Sequence, residues 1–150
     1  MKNIGISEDK LHHILGVARK CYRLAKEAGY NEQFCRKMFM IGWLHDVGYE
    51  FTDIASEHNE TGVKMISTLS NDLTDDSFHS VLSAVESHGR YQEEKSNEWR
   101  ILNMADLTVD RKGRDINVHA RLSDIEQRYG SESKQYIRAC AIARTVGLCK

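Results

Sequence analysis

Residues 31–48 read NEQFCRKMFMIGWLHDVG. Asn31 is a good helix N-cap, because its side-chain oxygen can accept an orphan N–H of the first turn, and Gly48 is a good stop. The spacing predicts a helix from Asn31 to Val47. Its segment from Met38 to Leu44 is apolar on every side, which predicts a central, buried helix. That helix runs into His45 and Asp46. At ~100° per residue, His45 lies in line with Phe34, Met38 and Ile41, and Asp46 in line with Cys35, Phe39 and Gly42. A carboxylate in such a place is costly unless it is paired, capped or bound to metal. Two side chains ~100° apart on a helix do not readily bond each other, so a third group between them is the more natural arrangement.

The pattern extends outward as helix after helix. Ser7 caps a first helix ending near Ala28, before Gly29. Tyr49 to Ala55 reads as a loop, and a third helix spans about Ser56 to Leu69. A fourth runs from Thr74 to His88, a fifth from Ser96 to Val109. A sixth, capped by Asn117, reaches Tyr129, and a seventh, capped by Ser131, reaches Val146. No stretch alternates with period two for long, and the chain has no proline. The expected fold is all-α: one domain over residues 1–150, a bundle of about six to seven helices. Residues 117–147 pack on the rest and offer a surface for a homodimer.

Composition excludes several function classes. With 21 basic and 22 acidic residues, net charge −1, nothing suggests a surface for a nucleic-acid duplex. No apolar run approaches the ~18 residues of a membrane span, and the N-terminal MKNIGISEDK has no signal-peptide core, so the expectation is a cytoplasmic protein. The four cysteines form no CxxC pair and read as reduced structural thiols.

The ionisable residues that fall on apolar faces carry the chemistry. In the first helix Leu11, Ile14, Leu15, Val17, Ala18, Cys21, Leu24 and Ala25 make an apolar arc. His13 sits at its edge, whereas His12 falls among Arg19, Arg23 and Lys26. His88 continues the stripe of Phe78, Val81, Leu82 and Val85. Asp106 lies within the stripe of Trp99, Leu102, Ala105 and Val109. His58 leads the row of Gly62, Met65 and Leu69. Four histidines and two aspartates on five helices thus face inward. Such a cluster is best stabilised by a metal ion, which takes neutral imidazole and ionised carboxylate.

These residues, in this order and context, resemble the HD superfamily of metal-dependent phosphohydrolases. HILGVA (13–18) resembles its first helix, IGWLHDVG (41–48) its apolar run closing in His-Asp, and HNETGV (58–63) the His-x-x-x-Gly-Ala segment of two-metal members. ESHG (86–89) and NMADLTVD (103–110) resemble its later His and closing Ala-Asp. Residues 10–110 carry the likeness, which is nearest to the branch with bacterial symmetrical diadenosine tetraphosphate hydrolases. The chain departs at Tyr49, where many members have Lys. It also has Gly89-Arg90-Tyr91 for that branch's Thr-rich segment, and Leu107–Arg111 for its Glu-Pro-x-Arg.

The resemblance implies that His13, His45, Asp46 and Asp106 hold one divalent metal, and that Asp46 bridges to a second held by His58 and His88. Asp46 and His45 are then the catalytic pair. Two such ions less two carboxylates leave the site at about +2, which draws in a phosphate and lets a bridging hydroxide attack phosphorus in line. The donor set suits Fe, Mn, Co, Ni or Zn better than Mg. The implied substrate is a nucleotide or another small phosphorylated molecule, with Arg90, Arg111 and Lys112 as phosphate contacts; Arg114 shares the same basic segment. Two alternatives stand beside this one: a di-iron oxygenase built on the same six ligands, and a non-catalytic module sensing a nucleotide or metal.

The register of the first helix separates two adjacent residues. His13→Ala is expected to lower metal affinity by more than the 10–100-fold typical of losing a ligand-orienting partner alone. His12→Ala is expected to change affinity and stability by less than ~0.5 kcal/mol. Metal titration of both variants checks this, and the reverse pattern would put the register wrong.

Overall fold

A computed structural model describes residues 7–46, 76–88 and 96–149, with the backbone alone for 76–80 and 82. These residues form six helices: α1 (Glu8–Glu27), α2 (Glu32–Leu44), α3 (Asp76–Ser87), α4 (Asn97–Asp106), α5 (Val118–Tyr129) and α6 (Lys134–Thr145). There is no strand among them; one isolated bridge joins Val109 to Asp115. The fold is all-α. The third helix expected at 56–69 and the loop at 49–55 lie outside the described residues.

Local chemistry starts the helices where the sequence placed most of them. Ser7, Asn31, Ser96 and Asn117 each accept an N–H of the first turn through the side chain. The last cap is Ser133 rather than Ser131: its hydroxyl takes the Tyr136 N–H, while 131–132 form a turn after Gly130, whose φ of 94° ends α5.

Two helix ends carry His45 and Asp106. α2 is regular to Leu44 and His45–Asp46 form a turn, while the expected end at Val47 lies outside the described residues; His45 turns its ring back and gives its Nδ1 proton to the Gly42 carbonyl at 2.6 Å. That carbonyl is one of the last-turn acceptors a helix leaves without a partner. α4 ends at Asp106, not Val109. There the chain turns and Val109 pairs with Asp115, leaving Asp106 at the helix end. His88 follows α3 in a turn, just beyond its last helical residue.

α2 is also less enclosed than its composition suggests. Met38 and Ile41 are fully buried, but Phe39, Met40 and Trp43 are 36%, 53% and 42% exposed. The apolar run is therefore two faces, one in the core and one outside. Leu11 of α1, placed on the apolar arc, is exposed as well.

The core has two parts. One joins α1, α2, α3 and α4 through Val17, Cys21, Met38, Ile41, Val81 and Leu102. The other joins α4 to α5 and α6 through Trp99, Leu107, Leu122 and Ile142. Trp99 links the layers, and its indole N–H satisfies the Ser87 carbonyl at the end of α3 (3.2 Å), which fixes the chain just before His88. All four cysteines are free thiols. Among the described residues no helix is long and apolar enough to cross a membrane.

The close crossing of α1 and α2 depends on Gly42. A Cβ there would stand 2.6 Å from Ala18 Cα and 2.9 Å from its nitrogen, backbone atoms that cannot swing aside. The contact sets the distance between the helices that carry His13 and His45. Gly42→Ala is therefore expected to cost about 1–3 kcal/mol of stability, as overpacking does, despite alanine's better helix propensity. Urea denaturation measures it; an unchanged midpoint would contradict the crossing described.

Candidate metal centre

His13 comes from α1, His45 and Asp46 from the end of α2, His88 from the end of α3, and Asp106 from the last residue of α4. Each sits at or near a helix end, and each of the three histidines is at least nine-tenths buried. His12, one residue from His13, is exposed. His58 and Arg90 lie outside the described residues.

The three histidines are held in one way. His13 Nδ1 is 2.9 Å from the Asp110 carbonyl oxygen, His45 Nδ1 is 2.6 Å from that of Gly42, and His88 Nδ1 is 2.5 Å from that of Val85. A carbonyl oxygen only accepts, so each ring carries its proton on Nδ1. For His45 and His88 the acceptor is three residues back in the same helix. For His13 it belongs to a remote loop, which needs its own support. Asp110 closes that loop with its carboxylate, accepting from the Lys112 and Arg114 N–H groups and from Arg114 Nε. Gly113, at φ 80°, lies so close to the His12 carbonyl that a Cβ would collide with it.

With Nδ1 committed, the three Nε2 atoms face the carboxylates. His13 Nε2 is 2.9 Å from Asp106 Oδ1 and 3.9 Å from Asp46 Oδ2. His45 Nε2 is 3.2 Å from Asp46 Oδ2 and 3.7 Å from Asp106 Oδ1. His88 Nε2 is 3.2 Å from Asp46 Oδ1. His45, just past Leu44, keeps a helical backbone (φ −58°, ψ −32°), and its Nε2 still comes to within 3.2 Å of Asp46. Even so, His45 Nε2 is fully buried and has no hydrogen bond, since its nearest oxygens lie off the donor direction. That orphaned atom is what a metal ligand looks like before the metal.

The spacings fit an ion. With donors ~2.1 Å from a divalent metal, neighbouring donors are about 3.0 Å apart in an octahedron and about 3.4 Å in a tetrahedron. The five separations above bracket those values. The ligand atoms of His13, His45 and Asp106 also lie within 4.8 Å of one another, a possible metal-binding group. Fixing the outer ring nitrogen on a main-chain carbonyl is the usual way a protein sets a ligating histidine's tautomer and aim.

Charge reinforces the arrangement. Burial alone pushes the His45 imidazolium down, but Asp46, then Asp106, outweigh it and raise the pKa to about 10. Burial pushes the Asp106 carboxyl up, yet the hydrogen bond from His13 and the charge of the neighbouring His45 and His13 hold it well below the usual carboxylate range. Without metal, these carboxylates hold His45 as imidazolium at neutral pH.

Two cations reach the centre that sequence reasoning did not single out. Lys10 Nζ is 3.7 Å from Asp46 Oδ2. It stands three residues before His13, on the same helix face, so helical spacing held the signal. Arg121 of α5 bonds the Asp106 main-chain oxygen through Nε at 3.3 Å and brings Nη2 to 3.9 Å from Asp106 Oδ1. Fifteen positions from Asp106, it had no spacing signal. Arg111 lies 4.0 Å from Asp124, and Lys112 is exposed.

A sequence model of the HD domain matches residues 11–111, two-thirds of the chain and all of the centre described. The chain belongs to the HD domain family. Members of this family are generally metal-dependent hydrolases that bind divalent metals. No curated protein and no solved structure matches the chain. In this HD domain the matched region ends just after Asp110, the residue whose carbonyl fixes His13; α5 and α6 lie beyond it.

A metal bound through His45 Nε2 would have to displace the proton there. Since that proton is held up to about pH 10, affinity is expected to rise with pH through the neutral range, and binding at pH 7 to release about one proton or more per ion. Calorimetry in buffers of different ionisation enthalpy reads this directly. A binding heat independent of buffer would contradict the assignment of His45 as a ligand.

Proposed function

We propose that this HD domain is a metal-dependent phosphohydrolase acting on a nucleotide or another small phosphoester. The observation that carries the reading is the convergence of three Nε2 atoms, their tautomers fixed by main-chain carbonyls, on Asp46 and Asp106. His13, His45, Asp46 and Asp106 would hold one ion. Asp46 is suited to serve a second, because its two oxygens are divided: Oδ2 faces His45 and His13, Oδ1 faces His88. His58 is proposed as a further ligand of that second position on sequence grounds.

A divalent ion bound there supplies Lewis acidity and makes water nucleophilic near neutral pH. The chain's own residues do the rest. Burial of His45 and Asp46 keeps bulk water from screening the charges, so a phosphoryl group meets a concentrated positive field. Asp46 faces all three histidines, and the Gly42 carbonyl keeps His45 aimed into the site. Hydrolysis forms one bond from water oxygen to phosphorus and breaks the bond to the ester oxygen, which leaves with a proton. Lys10, beside Asp46, is placed to offset charge at that end of the site. Iron or manganese are the proposed metals by donor type, and the sequence contexts make dinucleoside polyphosphates part of the substrate range to try.

Purified protein reconstituted with excess Fe(II) or Mn(II) is expected to hold two ions per chain by elemental analysis, and to release phosphate from at least one member of a panel of nucleotides and dinucleoside polyphosphates. Asp46→Ala, checked for native helicity, should lose turnover by 100-fold or more, on the order of what a group central to transition-state charge contributes. Near-normal turnover would remove Asp46 from the mechanism. Oxygen consumption with Fe(II) and no phosphate release would assign oxidative chemistry to the same ligands.

A further inference from the structure

Asp124 of α5 has three arginines on a single oxygen. Its Oδ2 lies 3.4 Å from Arg128 Nε, 3.5 Å from Arg121 Nη1 and 4.0 Å from Arg111 Nε. Three guanidinium groups face Asp124 and, through Arg121, Asp106, which leaves an excess of one positive charge gathered in one place. Like charges so close repel unless another anion joins them, and arginine's planar fork is the donor best matched to phosphate oxygens. The cluster is also not remote. Arg121, mostly buried, is shared between Asp124 and Asp106, and the Asp106 oxygen it approaches is the one that faces His13 and His45. Arg111 and Arg128 extend from it toward solvent, with side chains 64% and 33% exposed.

We propose that Arg111, Arg121 and Arg128, gathered on Asp124, form an anion-receiving wall beside the metal centre that takes a second phosphate group of the substrate. The attacked phosphate lies on the metal side of Asp106, and the arginines hold the next one. Asp124 keeps the three side chains together in the absence of substrate, and Arg121 couples the wall to the centre. The inference rests on the phosphohydrolase reading and narrows it to substrates carrying at least two phosphates. It also gives α5, outside the family match, a part in selecting substrate rather than only covering the core.

The test is anion binding to the metal-loaded protein, with Mn(II) kept in excess over all anions. The probes are orthophosphate and imidodiphosphate, a diphosphate that resists hydrolysis. Wild type is expected to bind imidodiphosphate at least about tenfold tighter than orthophosphate, the worth of roughly one charge-assisted hydrogen bond. Arg121→Gln is avoided as the sole variant because it also removes a contact to Asp106. Arg111→Gln combined with Arg128→Gln should erase most of that preference, while orthophosphate affinity changes less than about threefold. Arg138→Gln, an exposed cation elsewhere, is the control and should alter neither. Equal binding of both anions by wild type, or a double variant that keeps the preference or loses both anions alike, overturns the wall alone. Wild type that binds neither anion with metal bound overturns the phosphohydrolase reading along with it.

Discussion

Three buried imidazoles each give their Nδ1 proton to a main-chain carbonyl, His13 to Asp110, His45 to Gly42 and His88 to Val85. Much of the structure follows from that constraint. It leaves three basic nitrogens pointing at two carboxylates in a place with little water, where lone pairs facing anions repel unless a cation lies between. Either protons or metal ions can fill that role. Protons do it by making imidazolium, which burial opposes; a metal does it while leaving the imidazoles neutral and satisfying several donors at once.

Holding the constraint requires parts of the chain far apart in sequence. Gly42 lets α2 close on Ala18 of α1, which brings His45 near His13. Trp99 of α4 bonds the end of α3, which steadies His88. The 109–115 turn is fastened to α1 by Lys20 and Arg23 on Asp115 and by the close approach of Gly113 to His12, so the Asp110 carbonyl stays on His13. These features serve aim as much as stability.

Much of this was legible in the sequence, in a definite order of reliability. Helical periodicity placed His13 inward and His12 outward, and the side-chain caps Ser7, Asn31 and Asn117 located three helix starts, because both are local rules acting within one or two turns. The use of the Gly42 carbonyl by the His45 ring was not legible, since it depends on a main-chain acceptor at the end of α2. The two-faced character of α2 was hidden as well: Phe39, Met40 and Trp43 are as apolar as Met38 and Ile41, and only packing separates them. Asp110 contributes a main-chain oxygen, which residue type cannot reveal. Arg121 reaches Asp106 only through the docking of α5, a tertiary fact. The family model, matching 11–111, meets the sequence reading where the chemistry lies and is silent on that helix.

The central claim is that these imidazoles are ligands by construction. Diffraction from crystals of the Mn- or Fe-reconstituted protein, with anomalous data collected at the metal's absorption edge, tests it most directly. The account predicts an anomalous peak bonded to Nε2 of His13 and His45 and to oxygens of Asp46 and Asp106, with each Nδ1 still on its carbonyl. A loaded protein whose metal sits elsewhere, with His45 Nε2 hydrogen-bonded to a carboxylate and no peak beside it, would contradict the account.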